Sequence, residues 1–229
     1  MSDFVDRTVA RVPALQPYVE GPFDLPATSL SDPEWLGERV ADTGRRFGCS
    51  DLSVAGTLWW YSTSSTLLFL TVASAMVTGQ VGDPALSARR CSVGPDGDLL
   101  GVVGGDAVEV GDAIEALTEA LASIIEPLAE VSATLERTLW AIVTDSIANR
   151  CLDVGAALGD RSLGTFFATA LVSKMGTALP KPRFLDVNGR PFTQRCSCCL
   201  LYRTDIAGMC VSCPHRSPGD RRQGLEAVD

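Results

Sequence analysis

Hydrophobic positions along most of the chain recur at helical spacing, and the pattern breaks only near the C-terminus. Ile114, Leu117, Leu121, Ile124 and Ile125 fall on one face and predict a helix that Pro127 interrupts. Leu135, Leu139, Ile142, Val143 and Ile147 predict a second helix, and Leu163, Phe166, Phe167, Ala170 and Leu171 a third, closed by Gly176. Upstream, a short helix over residues 3–12 gives way to an irregular arm carrying Pro13, Pro17, Pro22 and Pro26. A further helix starts at Ser31 or Asp32, takes Pro33 in its first turn, runs through Trp35, Leu36, Arg39, Val40 and Phe47, and stops at Gly48.

Residues 52–82 contain no charged side chain. That length would span a bilayer, but Ser62, Thr63, Ser64, Ser65 and Thr66 stand at its centre, where lipid offers no hydrogen-bond partners. Two buried helices, or one bent helix, inside a protein core are therefore expected. Strand signals are confined to two hairpins: residues 91–104, and residues 182–192, whose Asn188-Gly189 pair suits a type I′ turn. The expected fold class is α+β, mainly α-helical, with a scaffold over residues 1–180 and a C-terminal segment over 181–229 packed against it. The last residues, from Ser217, read as a mobile tail.

Composition changes the picture at one place. The chain carries a net charge of −9, which argues against nucleic-acid binding. Residues 181–222, however, hold eight basic side chains against three acidic ones, a local balance of +5 that leaves −14 for the remainder. The same stretch includes RCSCCLLYRTDIAGMCVSCPH, residues 195–215, with five of the eight cysteines and the only histidine. The N-terminal MSDFVDRTVARVPALQ has no apolar run behind a basic start, so a cytoplasmic location is expected, with peripheral association at the inner face of the membrane compatible with it. In a reducing compartment clustered cysteines suggest metal or redox chemistry rather than disulfides. Cys49, Cys91 and Cys151 are isolated and read as small buried apolar residues.

Cys198, Cys199, Cys210 and Cys213 form a C-C-x10-C-x2-C array. The Cys210-x2-Cys213 pair is a knuckle used for zinc and for Fe–S clusters alike. The adjacent pair is more restrictive, because neighbouring side chains of an extended strand point to opposite faces. Either the backbone turns sharply at Cys198 and Cys199, or the two bind different metal atoms. Iron–sulfur and structural zinc both remain open on these grounds. Cys196 is an alternate ligand that could replace Cys199, and His215 reads as a surface residue or a neighbour of the centre.

This array, with Leu200, Tyr202, Arg203 and the Cys213-Pro214 ending, resembles the C-terminal signature of the FhuF-type ferric-siderophore reductases. RTLWAIVTDSIANR, residues 137–150, resembles the family's Leu-Trp helix. The resemblance implies a [2Fe-2S] cluster held by Cys198, Cys199, Cys210 and Cys213, leaves Cys196 outside it, and implies one-electron reduction of a ferric siderophore, with hydroxamates favoured. A ferredoxin-like protein is the expected electron donor. Arg190, Arg195, Arg203 and Arg216 are candidates for docking an anionic chelate or an acidic donor. Rival readings are a non-enzymatic Fe–S carrier or sensor and a zinc-stabilised binding module. No nucleotide motif is present.

Overall fold

The computed structural model describes residues 2–228; Met1 and Asp229 lie outside it. Helix α1 (Asp3–Arg11) leads through a short α2 (Gln16–Val19) and strand β1 (Leu25–Pro26) to α3 (Pro33–Arg46). Then follow α4 (Leu52–Thr78), β2 (Gln80–Gly82), β3 (Arg89–Val93), β4 (Leu99–Gly104) and β5 (Ala107–Glu109). The C-terminal half contains α5 (Val110–Ser132), α6 (Glu136–Ala157), α7 (Arg161–Met175), the pair β6 (Phe184–Val187) and β7 (Arg190–Thr193), and α8 (Pro218–Glu226). The α+β, mainly helical class is as expected.

Helix α4 is the axis of the molecule. It is one uninterrupted helix, touched by α1, α3, α5, α6 and β4, and it is apolar around most of its circumference because neighbours cover it on most sides. Its polar centre is answered from α6: Ser64 and Ser146 share a hydrogen bond of 2.8 Å, and Arg150 Nη2 and Nε donate to Ser65 Oγ at 2.7 and 2.9 Å. Trp60 Nε1 donates to the Leu139 carbonyl at 3.0 Å, so this side chain is fully buried with its polar atom satisfied. Among the described residues no helix is long and apolar enough to cross a membrane.

Three expectations need correction. Pro127 lies inside α5 rather than ending it; Ile124, Ile125 and Leu128 are fully buried around it, and that burial outweighs the single backbone hydrogen bond proline removes. Helix α7 buries Gly164, Ala168, Leu171, Val172 and Met175, while Leu163 is more than a third exposed and Phe166 is 72% exposed. The small residues decide the face: a methyl group at Gly164 would collide with the Cys151 carbonyl and the Leu152 Cα, so α7 approaches α6 there through backbone contact. The stretch from Ser217 is not a tail. Ser217 Oγ accepts from Asp220 N at 3.1 Å, Pro218 starts α8, and Leu225 is buried near β6.

Both hairpins are present. β3 and β4 pair antiparallel with a bulge at Ser92/Val93, and β1 adds to their edge. β6 and β7 close through Asn188 (φ 54°) and Gly189 (φ 78°), both left-handed as a type I′ turn requires. This second hairpin delivers the chain to Arg195.

Candidate metal centre

Burial alternates along the stretch that leaves β7: Thr193, Arg195, Ser197 and Cys199 face the scaffold, and Gln194, Cys196 and Cys198 are more open. Buried, acceptor-rich surroundings fix this register. Asp145, in the middle of α6 and 1% exposed, accepts hydrogen bonds from Cys196 N (2.7 Å), Ser197 N (2.9 Å) and Ser197 Oγ (2.6 Å). One carboxylate from the core thus satisfies two consecutive backbone donors and a hydroxyl. Burial raises the Asp145 pKa, opposed by these hydrogen bonds and by Arg195.

Arg195 is 3% exposed. Its guanidinium stacks over the Tyr61 ring of α4 at 4.4 Å, its Nε lies 3.8 Å from Asp145 Oδ2, and its Nη1 donates to Cys210 Sγ at 3.6 Å. Nε and Nη2 have no hydrogen-bond partner. Desolvation works against the charge, but Tyr61, Cys199 and Asp145 outweigh it and hold Arg195 protonated above its ordinary value. Two orphaned donors on a buried cation are costly unless an anionic group lies beside them.

At Cys199 the chain meets an apolar seat made by Val54 and Leu58 of α4, with Phe47, Tyr61, Leu200 and Leu201 around it. Leu200 then adopts the left-handed conformation (φ 61°) and reverses the chain, donating its N–H to Cys198 Sγ at 3.4 Å. The exposed loop that follows is fastened twice. Arg203 Nη2 bonds Asp51 Oδ2 at 3.0 Å, and Asp51 is also the N-cap of α4. Arg216 Nε and Nη2 bind the Cys210 and Met209 carbonyls at 2.9 and 2.8 Å, while Cys213 N donates to Cys210 O at 3.1 Å, which shapes the knuckle.

The outcome is that all four cysteines of the array come together, as two neighbouring pairs. Cys198 Sγ and Cys213 Sγ lie 3.9 Å apart. Cys199 neighbours Cys210: the Cys210 thiol lowers the Cys199 pKa, aided by the Leu201 N–H and Arg195 and against the effect of burial, and Cys210 is raised in return. Burial lifts Cys198 to about 11. The adjacent cysteines therefore face different thiol partners. Among the described residues no three His, Cys, Asp or Glu side chains surround one point as the ligands of a single ion do. Two thiol pairs, N–H groups directed at Cys198 and Cys199, and a buried cation with unpartnered donors fit an anionic group containing two metal atoms.

Other candidates fall elsewhere. Cys196 Sγ turns to the Lys181 carbonyl at 3.6 Å, away from the pairs. His215 is exposed and meets Tyr202 edge-on at 5.4 Å between centroids. Cys91 and Cys151 are fully buried and burial raises both thiols, Cys91 to about 12, but Cys49 is only half-buried, near Asp51 and Arg203. Of the four docking candidates, Arg195 is ruled out by burial, since its guanidinium cannot meet a partner at the surface. Arg203 is bonded to Asp51 at the start of α4, Arg216 to carbonyls within the loop, and Arg190 lies over Phe192 with Nη1 on the Val228 carbonyl. Sequence reasoning missed Asp145 and Tyr61. Asp145 had a signal, as the lone charge between Arg137 and Arg150 in an otherwise apolar and neutral stretch; Tyr61 had none.

No curated protein matches the chain. Residues 195–215 match the family model described as the FhuF 2Fe-2S C-terminal domain, which identifies this segment as a 2Fe-2S domain of that type and its cofactor as a [2Fe-2S] cluster.

Proposed function

We propose that the protein is a ferric-siderophore reductase in which Cys198, Cys199, Cys210 and Cys213 hold the cluster. The observation that carries the assignment is the gathering of these four thiols as two pairs beside the buried, under-partnered Arg195. When bound, a [2Fe-2S] cluster supplies one electron at a time. The substrate is Fe(III) gripped by hard oxygen donors; one electron makes it Fe(II), whose lower charge density weakens that grip and lets the metal leave. No proton transfer is required of the chain.

The chain's own residues do three things. Asp145 fixes Cys196 and Ser197 to α6, so the segment that carries the first two ligands is anchored to a rigid helix. Val54, Leu58 and Leu200 exclude water from the Cys199 side. Tyr202, Ile206, Met209 and Val211, all more than a third exposed, give the loop that carries the cysteines an apolar surface that an electron donor or a chelate can approach. Since Arg195 is buried and Arg203, Arg216 and Arg190 are bonded to Asp51, to loop carbonyls and to the Val228 carbonyl, apolar contact rather than a free cationic patch is the expected means of approach.

The test is spectroscopic. Purified protein should show a visible iron–sulfur absorption that bleaches on reduction and recovers when a ferric hydroxamate is added, with Fe(II) trapped in equal amount by a ferrous chelator. Reoxidation only by a protein partner, with no ferric chelate effective, would instead establish an electron carrier.

A further inference from the structure

The Asp145–Arg195 pair reaches further than holding the segment in place. Arg195 has one guanidinium nitrogen on Cys210, a ring of α4 beneath its plane and a carboxylate of α6 beside its Nε. No other cation among the described residues is so deeply buried beside the thiols: Arg183, Arg203 and Arg216 act on carbonyls or exposed carboxylates. The arrangement is also lopsided, because Arg195 meets the Cys199/Cys210 pair and no contact runs from it to Cys198 or Cys213.

Resting on the cluster reading above, we infer that Arg195 sets the reduction potential of the centre, and that Asp145 and Tyr61 are positioning residues that hold its charge against the Cys199/Cys210 side. The physical reason is charge. Reduction adds one negative charge to an already anionic group, and a fixed cation in a water-poor site favours the more negative state. The carboxylate works in the opposite direction: it partly cancels the guanidinium charge and so restrains the potential. Holding both on helices of the core makes their separation from the thiols invariant, so the two contributions oppose each other at fixed distance. The unpartnered Nε and Nη2 donors are what a merely structural arginine would not leave open.

Three variants of the full chain test this: Arg195→Gln, Arg195→Lys and Asp145→Asn. Iron and labile sulfide are measured first, then the midpoint potential by spectroelectrochemical titration at constant pH and salt. Arg195→Gln should make reduction harder, with the reduced-to-oxidised ratio at a fixed ambient potential falling about tenfold, a shift of about 59 mV for a one-electron couple. Arg195→Lys, which keeps the charge but not the fork, should fall between that variant and the wild type. Asp145→Asn, which keeps one acceptor oxygen for Cys196 N or Ser197 N, sets an amide NH2 against the other and removes the charge, should shift the potential in the positive direction. A purely structural network would not give opposite signs. Loaded variants with wild-type potentials, or Arg195→Gln and Asp145→Asn moving together, would overturn the inference while leaving the cluster reading intact. Loss of iron from all three variants, with the wild type loaded, would make the pair scaffolding alone and overturn it as well. A wild-type protein free of iron and sulfide would remove the cluster reading itself.

Discussion

Helix α4 lies largely out of water and the cysteine segment only in part, at Arg195, Ser197, Cys199, Thr204 and Cys213, and the two are held by different means. Along α4 the fixing is diffuse: Trp59, Trp60, Leu68, Phe69 and Val72 are almost wholly buried, each contributing a share of dispersion and transfer energy. The segment from Arg195 to Arg216 depends on a few specific contacts: three hydrogen bonds to Asp145, one stacked and ion-paired arginine, one left-handed leucine and two carbonyls clamped by Arg216. Damage to the first kind of region is graded. In the second, one lost contact removes a unit.

Removing a ligand should break the comparison most severely. Cys199→Ser should abolish iron binding and leave the far-ultraviolet circular dichroism of the helices nearly unchanged, whereas Cys196→Ser should keep its iron; metal analysis of both proteins checks it, and iron retained in Cys199→Ser would return Cys196 to the ligand set. Next comes the anchor. Asp145→Ala strands Arg195 and two backbone donors in the core and should cost about 4 kcal/mol in urea unfolding, the loss expected when one partner of a buried pair is deleted. Leu68→Ala, at a fully buried site of α4, should cost about 3 kcal/mol by leaving a cavity, and should leave the iron content untouched. That difference in iron content, at similar stability loss, is the sharpest expression of the contrast. The smallest effect belongs to Arg203→Ala: its ion pair with Asp51 is open to solvent, so the unfolding midpoint should be indistinguishable from wild type.

The same contrast explains how much could be read in advance. Helix α3 was legible down to a cap at Ser31 or Asp32, of which Asp32 accepts from Trp35 N at 2.9 Å, because capping is local chemistry. The Asn188-Gly189 turn and the grouping of four cysteines were legible for the same reason. Pro127 and the buried face of α7 were not, since both depend on what packs opposite: the apolar surroundings of Ile124 and Leu128 in one case, the close backbone of α6 in the other. Helix α8 was obscured by its hydrophilic composition, and Leu225 alone seats it. Charge could be counted along residues 181–222, but not its partners. The count suggested four arginines turned outward to a ligand, whereas one is buried and the others bond to neighbours.

Leu200 has a consequence for anyone who would transplant this centre. A left-handed leucine costs roughly 1–2 kcal/mol relative to the right-handed form, and here that strain is offset because its side chain rests beside Val54 and Leu58. A peptide copied from residues 195–215 would carry every thiol at its native spacing but would lack that seat and the Asp145 carboxylate. Glycine would then be the better residue at position 200, and the portable unit is the cysteine segment together with the faces of α4 and α6 beneath it.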